Sequence, residues 1–212
     1  MAEWGPIMAK RTTTRGSRAP SPVAPKSQIR VSAKASRWRK LRFKMQDQRH
    51  ANWCWAAVAA SVADYYGRGA KFTQCVIANV ELDREDCCRP TGGLSIVPFD
   101  VPHVLGAPLY RIGCAPNLGA ERQAQLKEIR REIDGQRPVC ARVIWTKGNT
   151  SRVAAGAHFI TIFGYLPGTD RLAIEDPWLA PSYQEISYKD LCNDYDGRGI
   201  WTHTYFTRPP RP

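Results

Sequence analysis

Three side chains in this 212-residue chain carry the chemistry of a thiol nucleophile. They are Cys54, in Gln48-Arg-His-Ala-Asn-Trp-Cys54-Trp55, His158, in Gly156-Ala-His158-Phe-Ile-Thr-Ile-Phe-Gly-Tyr165, and Asp176, followed by Pro177 and Trp178. A cysteine attacks as its thiolate, which a positive neighbour or a helix N-terminus favours. Residues Asn52 to Tyr66 start on a capping-type Asn, contain no Pro or Gly and meet Gly67 as a stop, so they read as a helix with Cys54 in its first turn. The unpaired N–H groups of that turn favour a thiolate and can receive a developing oxyanion. Gln48, six residues upstream, offers a second donor from its side chain. The plain alternative for Cys54 is a small buried residue on an apolar helix.

Gly156 to Tyr165 has the aromatic and β-branched content of a buried strand, with one imidazole near its start. Leu166-Pro-Gly-Thr-Asp170 makes a turn, and Arg171 to Glu175 forms a second strand that ends at Asp176. Antiparallel pairing of the two brings Asp176 beside His158. His158 would then take the thiol proton and return it to the leaving amine, while Asp176 fixes its tautomer and stabilises the imidazolium. Taken singly, His158 reads as an ordinary strand histidine and Asp176 as a turn residue before proline. Their conjunction with Cys54 makes the assignment.

Other elements must position this set. Trp38 to Phe43 begins a strand, Phe72 to Leu82 reads as a helix, Pro98 to Leu105 as a short turn or helix, and Glu121 to Ile133 as an amphipathic helix ended by Gly135 and Pro138. Val139 to Trp145 is a strand, Thr146 to Arg152 a polar loop, and Tyr183 to Ser187 and Ile200 to Phe206 two more strands. Helices come first and an antiparallel sheet follows, an α+β order with the nucleophile on the longest buried helix and a cleft between two lobes. His103 reads as structural.

Charge is unevenly distributed. Of 31 basic residues, 12 fall in positions 1–44 against one acid, Glu3, leaving +11 there; the remainder has 19 basic and 18 acidic residues, +1. Residues 1–36 read as a disordered basic leader and 37–212 as one catalytic domain, about the length that builds a single core. The leader reads as a delivery signal, as an electrostatic patch for nucleic acid or anionic membrane, as a pro-segment removed by proteolysis, or as a solvated tail. No zinc-finger spacing, recognition helix or aromatic-interleaved basic sheet accompanies the charge, so no specific nucleic-acid partner is expected. No run approaches the ~18–20 apolar residues of a transmembrane helix, and the N-terminus lacks the apolar core of a secretory signal.

Six cysteines remain beside Cys54: Cys75, Cys87, Cys88, Cys114, Cys140 and Cys192, an even number that permits three disulfides. A bridge from Cys75 to the Cys87-Cys88 pair would staple the helical lobe. A structural zinc on Cys75, Cys87, Cys88 and Cys114 is the alternative, though adjacent cysteines replace the usual Cys-x-x-Cys. Free thiols in a reducing cell are the third reading. No cofactor and no catalytic metal are expected.

The chain resembles the papain-like cysteine peptidases, in particular the bacterial staphopains, bacteriocin-processing peptidases and avirulence-type effector proteases. The resemblance rests on the order Gln48, Cys54, His158, Asp176, on Trp55 after the nucleophile, and on Trp178 two residues beyond Asp176. Asp176 departs from papain's Asn, but Asp followed by Pro is usual in the bacterial branches. The resemblance covers Leu41 to Phe206 in architecture, with specific motifs in 48–66 and 156–178. It implies a two-lobed papain-like fold, helical lobe first, and hydrolysis of peptide bonds through a Cys54 thioester. It also implies Gln48 as the oxyanion glutamine, Trp178 shielding Asp176, and an extended protein or peptide substrate along Gly92, Gly93 and Ala157, where a plain turn is the other reading of the glycine pair. Self-processing of the leader, export by a specialised bacterial secretion system as an effector, and a host activator are the further readings it carries. An isopeptidase, deamidase or acyl transferase on the same Cys-His-Asp set, and a binding module without turnover, are the alternatives.

Overall fold

The computed structural model describes residues 37–90, 97–147 and 151–211, with backbone alone for 146–147 and 151–155. The expected leader 1–36 and the substrate-binding Gly92 and Gly93 lie outside the described residues. Six antiparallel strands make one sheet: β1 (Arg39–Lys40), β2 (Val139–Lys147), β3 (Ser151–Tyr165), β4 (Arg171–Glu175), β5 (Tyr183–Ser187) and β6 (Gly199–Phe206), in the order β5-β4-β3-β2-β6 with β1 paired to β3. At the end of β3, Gly164 and Tyr165 face Ala173 and Leu172 of β4 on one edge and Lys40 and Arg39 of β1 on the other, so β1 takes over the edge that β2 leaves at Ile162. Gly164 permits that approach, since a Cβ there would meet the Arg39 carbonyl oxygen at 2.8 Å.

Among the described residues five helices accompany the sheet: α1 (Cys54–Tyr65), α2 (Gln74–Glu81), α3 (Gly106–Arg111), α4 (Leu126–Asp134) and α5 (Tyr188–Asn193). Every residue of α1 from Cys54 to Ala63 is buried, as befits a helix that is apolar all round. It packs on β3 and against α2 and α3. The helices-then-sheet order is the one expected from the sequence.

An extended arm laces these layers together. Leu41, Phe43 and Met45 are buried in alternation, and the Leu41 N–H donates to Phe163 O. The Met45 N–H donates to the Glu175 carboxylate, and the Gln46 N–H to the Ser61 hydroxyl of α1 at 2.9 Å. Buried Gln74 of α2 donates to Asp47 O and accepts from the Arg49 N–H. The Gln48 N–H reaches Pro177 O at 3.1 Å, so this one segment binds both helices and the end of β4.

Several boundaries differ from those expected. Asn52 does not cap α1; its N–H and side chain are spent on Asp100, and Trp53 holds the cap position. The helix expected from Glu121 begins only at Leu126, because Ala120 bridges to Thr204 and Arg122 O accepts from the Thr204 hydroxyl, drawing that stretch to β6. Of the polar stretch 146–152, expected as a loop, residues 146–147 and 151–152 belong to the ends of β2 and β3, and 148–150 lie outside the described residues. Helix α5, started by Ser187 accepting from the Asp190 N–H, was not expected.

Cys75 and Cys88 are joined as a disulfide, their Cα atoms 5.5 Å apart. Cys87, Cys114, Cys140 and Cys192 are buried free thiols, so the three bridges that the count permits are not made. Cys140 lies against the Thr161 hydroxyl and Cys114 near Ile112 O. Burial pushes the Cys114 thiol up to about 11 and that of Cys140 up to about 12, which keeps both protonated. The zinc alternative loses Cys75 and Cys88 to the bridge. Replacing both bridged cysteines by serine is expected to lower unfolding free energy by about 3 kcal/mol in non-reducing urea titrations and to leave it unchanged under reductant.

Candidate active site

Cys54 opens α1, and the loop after the helical region fixes that opening. Phe99 O accepts from the Trp53 indole at 2.8 Å, Val101 O from the Trp55 indole at 3.1 Å, and Asp100 accepts from the Asn52 N–H at 2.7 Å. Three consecutive residues thus grip three neighbours of Cys54. Trp53 and Trp55 are fully buried, and the His50 ring meets the rings of Trp53 and Phe99 edge-on. Among the described residues no side chain caps the first turn of α1, so its leading N–H groups keep their positive end toward the cleft.

The sheet supplies the other two members. Thr161 of β3 pairs with Glu175 of β4, so the next step of the register sets Asp176 across from Ile160, on the face that His158 also occupies. His158 Nε2 lies 2.7 Å from Asp176 Oδ1. A carboxylate only accepts, so Nε2 carries a hydrogen and the other ring nitrogen is left free of Asp176, in the cleft that Cys54 also lines. Asp176 is 3% exposed, and Oδ1 accepts additionally from the Trp178 N–H at 2.8 Å while Oδ2 accepts from the Tyr195 hydroxyl at 2.5 Å.

These contacts set the protonation states. Burial disfavours the imidazolium of His158, but the hydrogen bonds and negative charge of Asp176 and Cys54 outweigh it and raise its pKa to about 9. For Asp176 burial pulls upward, and His158, Tyr195 and the Trp178 N–H together hold it below the ordinary value. Glu175, one residue earlier, faces the arm instead; burial raises it, against the Met45 N–H.

Trp178, expected to shield Asp176, reaches it through its backbone, and 61% of the residue stays exposed. The ring over His158 is that of Trp145, 6.4 Å away and nearly parallel. Ala157 lines the cleft of about 400 Å³ that also holds Cys54, His158 and Asp176. Gln48 lines a neighbouring groove of about 410 Å³, which shares Ala51, Trp178 and Leu179 with the cleft. Its amide nitrogen donates to His50 O at 2.8 Å and Ala51 O at 2.6 Å, which occupies both hydrogens and fixes the orientation of the amide. Its Oε1 is buried and unpartnered among the described residues.

Asp100, Trp145 and Tyr195 are the site residues that the sequence reading missed. Tyr195 did carry a signal, since Asp196-Gly197 after it marks a tight turn. Asp100 between Pro98 and Pro102 announced only a turn. Among the described residues no three His, Cys, Asp or Glu side chains form a group able to hold a metal, and no helix is long and apolar enough to cross a membrane.

The model of the Peptidase C39 like family matches residues 40–207. Among solved structures, the chain is similar to the peptidase domain of Streptococcus ComA, a bi-functional ABC transporter involved in a quorum-sensing pathway, at 16% identity over 80% of this chain and 99% of that one, with a TM-score of 0.47. It is also similar to a chain from Bacillus anthracis described as a C39-like peptidase, at 14% identity over 81% and 99%, with a TM-score of 0.50. No curated protein matches. The chain belongs to the Peptidase C39 like family and is a cysteine peptidase, a hydrolase of papain-like α+β fold.

Proposed function

We propose that Cys54, His158 and Asp176 are the catalytic set of this peptidase. The observation that carries the reading is one imidazole fixed by Asp176 through Nε2 in the same cleft as Cys54 at the head of α1, whose sulfur is near enough to help raise the imidazole's pKa. A substrate peptide lies extended in the cleft past Ala157; Gly92 and Gly93, outside the described residues, are kept as its further backbone partners on the sequence alone. The Cys54 thiolate adds to the scissile carbonyl carbon, and the oxygen takes the negative charge beside the leading N–H groups of α1. His158 gives its proton to the leaving nitrogen, the C–N bond breaks, and a thioester remains. Water then loses a proton to His158, attacks the thioester and releases the acid and the Cys54 sulfur. For Gln48 to act as second oxyanion donor, its amide nitrogen exchanges the His50 and Ala51 carbonyls for the oxyanion. The basic composition of residues 1–36 supports a leader that this site removes from its own chain and that serves delivery as an effector.

Cys54→Ala and His158→Ala are expected to abolish cleavage of fluorescein-labelled casein and to leave the melting transition in place. An epoxysuccinyl peptide inhibitor should add once to the unmutated chain, on Cys54, by mass spectrometry, and the residues 1–36 should be lost only where Cys54 is intact. Retained cleavage in Cys54→Ala would remove the reading.

Asp176→Asn has a signed consequence. The charge of Asp176 is among the causes that raise His158, so its loss lowers the imidazole and shifts the alkaline limb of kcat/KM down by roughly 1–2 pH units. A limb that stays near pH 9 in this variant would detach Asp176 from the imidazole. Gln48→Ala is expected to lower kcat by about 10²–10³, the scale of a lost oxyanion donor; a loss under tenfold assigns Gln48 to holding its loop. Asp100→Ala leaves the Asn52 N–H without its partner and is expected to cost about 1–2 kcal/mol in unfolding free energy, read by urea titration.

A further inference from the structure

Oδ2 of Asp176 is the half of the carboxylate that His158 does not touch, and it points at a tyrosine outside the expected catalytic set. The Tyr195 hydroxyl donates to it at 2.5 Å, and Tyr195 is 2% exposed. A turn holds this ring in place. The Tyr195 N–H donates to Gly199 O at 2.9 Å, the Gly199 N–H returns to Tyr195 O at 2.7 Å, and Asp196 and Gly197 take φ of 50° and 74°, the pair of positive values that a type I′ turn needs and that Asp-Gly tolerates. The Trp145 ring, 5.8 Å away, packs on Tyr195 and also lies over His158. Gln184 Nε2 approaches the Tyr195 oxygen at 3.4 Å, so the hydroxyl accepts from one side and gives its hydrogen to Asp176 on the other.

We propose that Tyr195 is a positioning residue of the catalytic set, its hydroxyl fixing the plane of the Asp176 carboxylate so that Oδ1 meets His158 Nε2. The proposal rests on the catalytic reading given above. The terminal torsion of an aspartate is broad and roughly two-fold, and the two contacts at Oδ1, from His158 Nε2 and the Trp178 N–H, hold that oxygen while the carboxylate can still rock about it. A donor at Oδ2, from a ring clamped by its own turn, removes that freedom. Burial, and next the Asp176 charge, push Tyr195 far above the ordinary tyrosine range, so the hydroxyl stays a neutral donor across the working pH. The charged and titratable groups around the pair are Cys54 from α1, Asp176 after β4, and Tyr195, Asp196 and Arg198 from the turn, with Arg198 over the Trp145 ring.

The test reads the imidazole itself, with no substrate. In histidine-labelled protein the His158 signals, assigned by their absence in His158→Ala, give the Nε2-bound proton and the titration midpoint. Tyr195→Phe is expected to speed solvent exchange of that proton and to lower the midpoint by roughly half a pH unit or more, about threefold in proton affinity, with unchanged circular dichroism. An unchanged proton and midpoint overturn the proposal; so does a raised midpoint, which means that the hydroxyl only draws charge from a carboxylate that stays put. 4-Aminophenylalanine at 195 keeps a donor of similar reach and should restore both signals. If Tyr195→Phe does not fold, this replacement decides alone, wild-type signals supporting the proposal and lost signals overturning it. Iodoacetamide alkylation of Cys54, followed in parallel, reports on the peptidase reading separately: a Cys54 no faster than a free thiol counts against that reading while the His158 signals still decide the place of Tyr195.

Discussion

Asp176 carries a negative charge with 3% of its surface in water, and a carboxylate so placed costs several kcal/mol unless donors and an opposite charge replace the lost hydration. Three groups meet that demand: the His158 imidazole, the Trp178 N–H and the Tyr195 hydroxyl. They come from β3, from the residues just after β4, and from the turn before β6. Satisfying one buried charge therefore fixes the relative placement of most of the sheet around the cleft, and it is this requirement that orients the imidazole of a strand histidine.

Cys54 is held by a different set of contacts. Cys54 takes its position from α1, whose start is pinned by Phe99, Asp100 and Val101 and whose middle is tied to the arm through Ser61 and Gln46. The arm then joins both sets, because Gln48 binds Pro177 next to Asp176 and Gln74 of α2 grips Asp47 and Arg49. Gln74 precedes Cys75, so the disulfide braces the helix that holds this loop. Helices and sheet are thereby cross-linked by backbone hydrogen bonds as well as by apolar burial, a more directional attachment than packing alone.

Local signals were legible where they were self-sufficient. Strands β4 and β5 fall where turn residues bracket five-residue segments, and the pairing of His158 with Asp176 follows from two adjacent strands joined by a tight turn. What the sequence could not show depends on distant parts of the chain meeting. Asn52 has the chemistry of a cap, yet Asp100, 48 residues on, outcompetes the helix for its groups. Gln48 has the chemistry of an oxyanion donor, yet His50 O and Ala51 O are closer to hand for its amide. Tyr195 and Trp145 reach the site only because the sheet order sets β6 and β3 on either side of β2. Cysteine number likewise set an upper limit on bridges, whereas only Cys75 and Cys88 are joined and four buried thiols stay free beside Cys54.

The two contacts of His158 differ in kind. Its bond to Asp176 lies within one sheet, whereas its contact with Cys54 spans the gap between the sheet and helix α1. Bending or heating that loosens the helical layer from the strands separates sulfur from imidazole first and leaves the imidazole–carboxylate pair whole. Chemical competence is thus a gauge of interlayer spacing, and it should fade under mild denaturant while the strands still hold their register.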